Sequence, residues 1–170
     1  LKSVRPPRAM VLQAEASVQD VTRQVISAQT QTLVHAARSY VGLRTERNFV
    51  QKGDPIDVEL VAVDLEGNIQ EGRHIGVVAE RLEWEWKAGE VQEVVADRDT
   101  CSVASKAEPV SCSFETPAGG IYRLKATVED EQGRLNRSEM RVWVSGAERP
   151  SAKTVEMDEI GRASCRERVY

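Results

Sequence analysis

Chemistry in this sequence would have to begin with its cysteines, Cys101, Cys112 and Cys165, and its two histidines, His35 and His74. A zinc site wants four ligands at short spacings, but ten residues lie between Cys101 and Cys112, and both histidines are distant in sequence. The spacing suits a disulfide better. If Cys101 and Cys112 sit on two arms of a hairpin with Ser105 to Pro109 near its tip, their Cα atoms fall within bonding range. Closing so short a loop would stabilise the fold by roughly 2 to 3 kcal/mol, and persistence of the bond implies an oxidising compartment. Two buried free thiols are the other reading this spacing leaves open.

The remaining polar groups form no reactive constellation. Two isolated histidines without a nucleophile-elbow motif do not build a Ser/His/Asp triad, and no Gly-rich loop joins a strand to a helix to cradle phosphate. Asp97-Arg98-Asp99 offers two carboxylates where calcium takes six to eight oxygens, and reads as a solvated turn. Glu83 and Glu85 flank Trp84 on an outward strand face, which is no catalytic pair across a cleft. Trp84 and Trp86 share a face with Leu82 and read as core rather than as a sugar platform, while Trp143 alternates out of phase with Val142 and Val144 and suits a contact between modules. Asn136-Arg137-Ser138 is formally a glycosylation sequon. No catalytic residue, metal ligand or cofactor site is expected, so the chain is not read as an enzyme.

The elements that carry these residues show period-two alternation. Ile56, Val58, Leu60 and Ala62 share one face against Asp57 and Glu59, and Tyr122, Leu124, Ala126 and Val128 alternate with Arg123, Lys125, Thr127 and Glu129. Met140, Val142 and Val144 continue the series. Gly and Pro punctuate these runs at Lys52-Gly53-Asp54-Pro55, Asp64 to Asn68, Pro117 to Gly120 and Glu131-Gln132-Gly133. Strands and turns without helix, from Tyr40 to Gly146, predict an all-β fold: an antiparallel, seven-stranded β-sandwich.

A second copy is visible at the front of the chain. Leu12, Ala14, Ala16 and Val18 precede Tyr122, Leu124, Ala126 and Val128 by 110 positions, and Asp20 matches Asp130 likewise. With one gap the pattern continues, Arg23 matching Arg134, Ser27 matching Ser138 and Leu33 matching Val144. Residues 1–37 are therefore expected to be the last strands of a preceding domain, 38–146 a complete sandwich, and 147–158 a linker or the start of the next domain. The opening Leu1-Lys2-Ser3-Val4 carries neither initiator Met nor leader, so the chain reads as an internal fragment of a larger secreted or periplasmic protein. Residues 159–170 resemble the in-frame translation of a sequencing adapter and are set aside as an artefact tail, leaving 20 basic and 25 acidic side chains. That mildly acidic balance disfavours nucleic acid as a partner, and no apolar run approaches the roughly 20 residues of a membrane span, so no direct membrane insertion is expected.

Read together, Tyr40-Val41-Gly42-Leu43-Arg44, Phe49 to Ile56, Val63 to Asn68, Leu82-Glu83-Trp84, the Cys101 and Cys112 pair, Phe114 to Arg123, Asp130 to Arg134 and Val142 to Gly146 resemble a macroglobulin-like domain of the bacterial alpha-2-macroglobulins. The resemblance covers residues 10 to about 150. It implies a fibronectin- or immunoglobulin-like sandwich serving as a structural domain of a periplasmic or cell-envelope protease inhibitor, tethered in many members as an inner-membrane lipoprotein. In that family a protease cuts a bait segment, the molecule rearranges around it, and in many members a thioester captures it. Partners would be target proteases, met by the full-length protein, and neighbouring macroglobulin-like domains of the same chain. The thioester stretch Cys-Gly-x-Glu-Gln is absent from this sequence. What the resemblance carries over to a residue here is the Cys101 and Cys112 pair, as a structural disulfide. An immunoglobulin-like repeat of a bacterial surface adhesion or binding protein is the alternative, because the fold does not fix the function.

Overall fold

The computed structural model describes residues 9–87 and 89–146; the expected linker at 147–158 and the tail at 159–170 lie outside them. Ten strands follow one another: β1 Met10–Gln19, β2 Val25–Val34, β3 Tyr40–Thr45, β4 Phe49–Val50, β5 Ile56–Val63, β6 His74–Lys87, β7 Glu90–Ala104, β8 Val110–Phe114, β9 Gly120–Glu129 and β10 Leu135–Val144. From Tyr40 onward, seven strands of five residues or more and the two-residue β4 form two sheets, one ordered β4-β10-β9-β6-β7 and the other β3-β5-β8. The fold is an all-β sandwich. Among the described residues, all pairings are antiparallel except that of β4 with β10, which is parallel.

Alternation explains where each strand goes. On β5 the apolar set Ile56, Val58, Leu60 and Ala62 is buried, and on β9 Tyr122, Leu124, Ala126 and Val128 are buried. These residues close on Phe114, Val142 and Val144 in one core between the two sheets. Two polar groups at its margin find partners: Tyr122 Oη donates to Ala118 O at 2.8 Å, and Asn136 Oδ1 accepts from Val41 N at 3.1 Å. Asn136 is only 2% exposed, which keeps the formal sequon away from solvent. At Gly42, a Cβ would stand 2.9 Å from Val61 Cγ2, so the close approach of β3 to β5 requires a residue without one.

Among the described residues, strands β1 and β2 pair only with each other, as a hairpin whose ten-residue arms run Met10 opposite Val34 through Gln19 opposite Val25. Strands β9 and β10 run Gly120 opposite Val144 through Glu129 opposite Leu135, so every position of one hairpin lies 110 residues from its counterpart in the other. This corrects the gapped part of the expected repeat. Arg23 corresponds to Gly133 and not Arg134, Ser27 to Arg137, and Leu33 to Trp143. The turn supplies the reason. Asp20 Oδ1 accepts from Thr22 N and Gln24 N, as Asp130 Oδ1 accepts from Gln132 N and Arg134 N, and the fourth residue of each turn has positive φ, 67° at Arg23 and 72° at Gly133. Asp64 repeats the arrangement through Glu66 N and Asn68 N, with Gly67 at the positive-φ position. A five-residue turn built this way leaves no space for a gap.

Candidate functional site

The disulfide joins Cys101 on β7 to Cys112 on β8, with Cα atoms 6.1 Å apart. These strands belong to different sheets, so the bridge staples one sheet edge to the other and does not cross a hairpin ladder as the sequence suggested. Ser105 turns the corner. Its Oγ donates to Gln70 O at 2.6 Å, and its backbone N donates to Arg73 O at 2.8 Å, which anchors the chain as it leaves the first sheet for the second.

The outer face of the five-stranded sheet carries two rows of side chains fixed by strand register. One row places Arg98, Glu80, Arg123 and Arg141 side by side across β7, β6, β9 and β10. Glu80 accepts from Arg98 Nη2 at 2.9 Å, Arg123 Nη2 at 2.7 Å and Lys125 Nζ at 2.7 Å, and is buried beneath them. Burial pushes the Glu80 carboxyl up, but the hydrogen bonds and charges of Lys125 and Arg123 outweigh it and hold the pKa at about 2. Asp97-Arg98-Asp99 is thus part of strand β7 and not a turn, with Arg98 on Glu80 and Asp97 accepting from Arg81 Nε at 2.6 Å. No group of three or more metal-binding side chains occurs among the described residues.

The neighbouring row is apolar: Val95, Leu82, Ile121, Trp143 and Phe49 follow one another across β7, β6, β9, β10 and β4. Trp84 and, one pair further, Trp86 opposite Val91 extend it along the β6–β7 arm. Trp84 and Trp86 are exposed, against the expectation that they fill the core. The phase of β6 is set by Ile75, Val77 and Ala79, which point into the sandwich, so Leu82, Trp84 and Trp86 share the parity of Glu80 and lie on the outer side. The alternation from His74 to Ala79 puts the two apolar series of β6 on opposite faces but does not say which is inward. The register shifts at Arg81/Leu82, where Ala96 is left unpaired, and the arm bends there. Glu93 of the arm accepts from Arg123 and from Arg141 Nη2 at 3.1 Å, although these stand two and three strands away from β7, so the bend carries the arm across the outer face. Glu83 and Glu85, on the arm's other face, pair with Arg81 and Lys87.

At the opposite end, an open cleft of about 490 Å³ lies between the β5–β6 loop, the β9–β10 turn and the segment leading out of the front hairpin, lined by Arg38, Asp64, Arg73 and Asp130 among others. Asp130 Oδ2 accepts from Arg38 N at 2.9 Å and Arg134 Nε at 2.8 Å. Burial would raise its pKa, yet the hydrogen bonds from Arg134 and Arg38 hold the carboxyl well below the usual range. The histidines fall apart from each other: His35 Nδ1 meets Tyr40 Oη at 2.8 Å, and His74 Nε2 meets Ser102 Oγ at 2.6 Å. The His74 and Ser102 pair was not foreseen, because its members, 28 positions apart, come together only through the β6–β7 ladder. The described hydrogen bonds give neither histidine a carboxylate to orient it, so the pair lacks the third member of a triad.

No family model matches the sequence. An alpha-2-macroglobulin homolog of Nostoc sp. is 22% identical over an alignment of 154 residues that covers 82% of this chain and 8% of that protein. The sequence is alpha-2-macroglobulin-like. This chain spans less than a tenth of the length of that macroglobulin relative. Among solved structures, Salmonella alpha-2-macroglobulin reacted with methylamine is 15% identical with a TM-score of 0.49, covering 80% of this chain and 10% of that one. Escherichia coli alpha-2-macroglobulin activated by porcine elastase is 18% identical with a TM-score of 0.45, covering 83% and 13%.

Proposed function

We propose that this chain is a structural, macroglobulin-like segment of a bacterial protease inhibitor that traps proteases after bait cleavage, located in the periplasm or cell envelope. The observation that carries the reading is the match to the Nostoc macroglobulin homolog along 82% of the chain. Two features accord with it. The 110-residue period fits a string of like modules, in which residues 1–37 close a preceding domain and 38–146 form a complete one. An inter-sheet disulfide fits an oxidising compartment. On this reading the module works by holding its neighbours in place while the whole molecule shifts, and performs no catalysis. The protease and the adjoining domains are its partners through the parent protein.

The test uses the parent protein incubated with an endopeptidase. A trapped protease keeps its activity on a small peptide substrate and loses it on a large protein substrate, since a cage excludes by size. Equal retention of both activities refutes trapping and leaves an adhesion or binding repeat as the better account. A parent sequence with neither a bait-like stretch nor a Cys-Gly-x-Glu-Gln motif removes covalent capture.

A further inference from the structure

We infer that the β6–β7 arm is a strap, clasped over the outer face of the five-stranded sheet by the ion pairs of Glu93 and released when those pairs are screened or removed. Among the described residues, β9 pairs with β6 from Ile75 to Leu82, while the β6–β7 ladder runs on to Lys87 opposite Glu90. Past Leu82 the arm is therefore a two-stranded ribbon. The register shift at Arg81/Leu82, with Ala96 unpaired, stands at its root and is where it can flex. Register also fixes what lies under the clasp. Glu93 on β7 stands opposite Trp84, Arg123 on β9 stands beside Glu80, and Leu82 occupies the β6 position midway between them. The ion pair of Glu93 with Arg123 thus spans Leu82, which is 3% exposed although it points away from the core. A second pair, with Arg141 Nη2 at 3.1 Å, carries the clasp on to β10.

The rest of the arm adds little to the hold. Trp86 and Val91 stay exposed, and Glu83 and Glu85 pair within β6, with Arg81 and Lys87. Covering Leu82 supplies a share that salt does not alter, so the arm stays mostly closed, and the ion pairs set how often it lifts. Two partly exposed pairs together shift that balance by about tenfold. Lifting has a defined consequence. With the strap down, Leu82 interrupts the exposed apolar row of the outer face; with it up, Val95, Leu82, Ile121, Trp143 and Phe49 form one open row from β7 to β4, and Arg141 beside it is released from Glu93. The inference is independent of the protease-trapping reading and holds or fails without it.

The test places a thiol under the strap: Leu82→Cys in the whole chain, with Cys165→Ser removing the third cysteine and Cys101 and Cys112 left bridged, is labelled with an uncharged alkylating reagent. A thiol so covered reacts only while the arm is lifted, so the labelling rate reads the lifted population. Raising the salt from about 0.01 M to about 1 M shortens the screening length from roughly 30 Å to roughly 3 Å and should speed labelling about tenfold. Screening the nearby guanidiniums would by itself make the thiol less reactive, so an acceleration reports the arm. Glu93→Gln should give a similar gain at low salt and lose the salt response, while Glu83→Gln, which removes a charge from the arm's other face, should change neither. Val58→Cys, in the core, should label more slowly than Leu82→Cys and without the salt acceleration. A rate indifferent to salt overturns the inference, as does a Glu93→Gln chain that still responds to salt or a Glu83→Gln chain that matches it. So does a Val58→Cys thiol accelerated in parallel, since the whole module and not the strap would then be opening.

Discussion

Replacing Glu80 by glutamine isolates the buried end of the outer charge row. In the native protein the carboxylate is surrounded by Arg98, Arg123 and Lys125 and titrates at about 2, against 4.5 for a free glutamate. That displacement corresponds to about 3 kcal/mol of linkage, the order of magnitude for a group so fully enclosed. A depressed carboxyl stabilises the fold above its unfolded pKa and ceases to do so as pH falls through its folded one. The contribution is therefore complete above about pH 5 and disappears between about pH 4.5 and 2. Glu80→Gln keeps the shape and removes the charge, leaving three cations facing a neutral amide. Arg123 retains its pairing with Glu93, so the expected loss at neutral pH is about 2 to 3 kcal/mol and not the 3 to 5 of a completely broken buried pair. Urea unfolding followed by circular dichroism at about pH 7, 5 and 3 reads the effect. The two stability curves should lie apart at neutral pH and draw together as the acid limit is approached. Asp130 also titrates low, but it does so in both proteins and cancels from the difference. Curves that remain parallel through the acid range refute the reasoning.

Serine at both Cys101 and Cys112 should lower stability by about 3 kcal/mol, the chain-entropy value for so short a loop, with alkylation and mass spectrometry of the unreduced native protein recovering no free thiol at either position. Asp130→Ala removes the acceptor for Arg38 N, Gln132 N and Arg134 N, so hydrogen exchange at those three amides should speed up while the Val58 and Leu124 amides keep their protection, with a stability loss of about 2 kcal/mol. Gly42→Ala should cost about 1 to 3 kcal/mol through its contact with Val61, and Val61→Ala in the same chain should recover most of it, as a thermal double-mutant cycle would show.

Much of the sandwich was legible because one side of most strands is dry. Ile56 to Ala62 and Tyr122 to Val128 alternate so regularly that their buried faces follow from parity alone, and the aspartate and glycine turn chemistry of Asp64 with Gly67 and Asp130 with Gly133 bounds them. Strand β6 was harder to read, since parity separates two faces without saying which is inward. Leu82, Trp84 and Trp86 form as clean an apolar series as Ile75, Val77 and Ala79, and only pairing with β9, together with the register shift beside Leu82, decides between them. The disulfide's route was hidden for a related reason. Ten intervening residues fit a hairpin or a corner equally well, and the hydrogen bonds of Ser105 to Gln70 and Arg73 that choose the corner come from elsewhere in the chain. The charge row was invisible for want of register, because Glu80 and its cations come from three strands distant in sequence.

The parallel pairing of β4 with β10 bears on how the module is made. Phe49 and Val50 leave a ribosome long before Trp143 and Val144, yet each pair must meet edge to edge, with Trp143 N donating to Asn48 O and Ser145 N to Val50 O. The strand that closes the sheet is thus the last to be synthesised, and any shorter nascent chain exposes both the flank of β9 and the core residues that Val142 and Val144 cover. Contacts of such long range make folding slow and leave no early stopping point. The module should mature in a single late event after its final strand emerges, and translation arrest ahead of Val144 should yield a chain that proteases digest throughout.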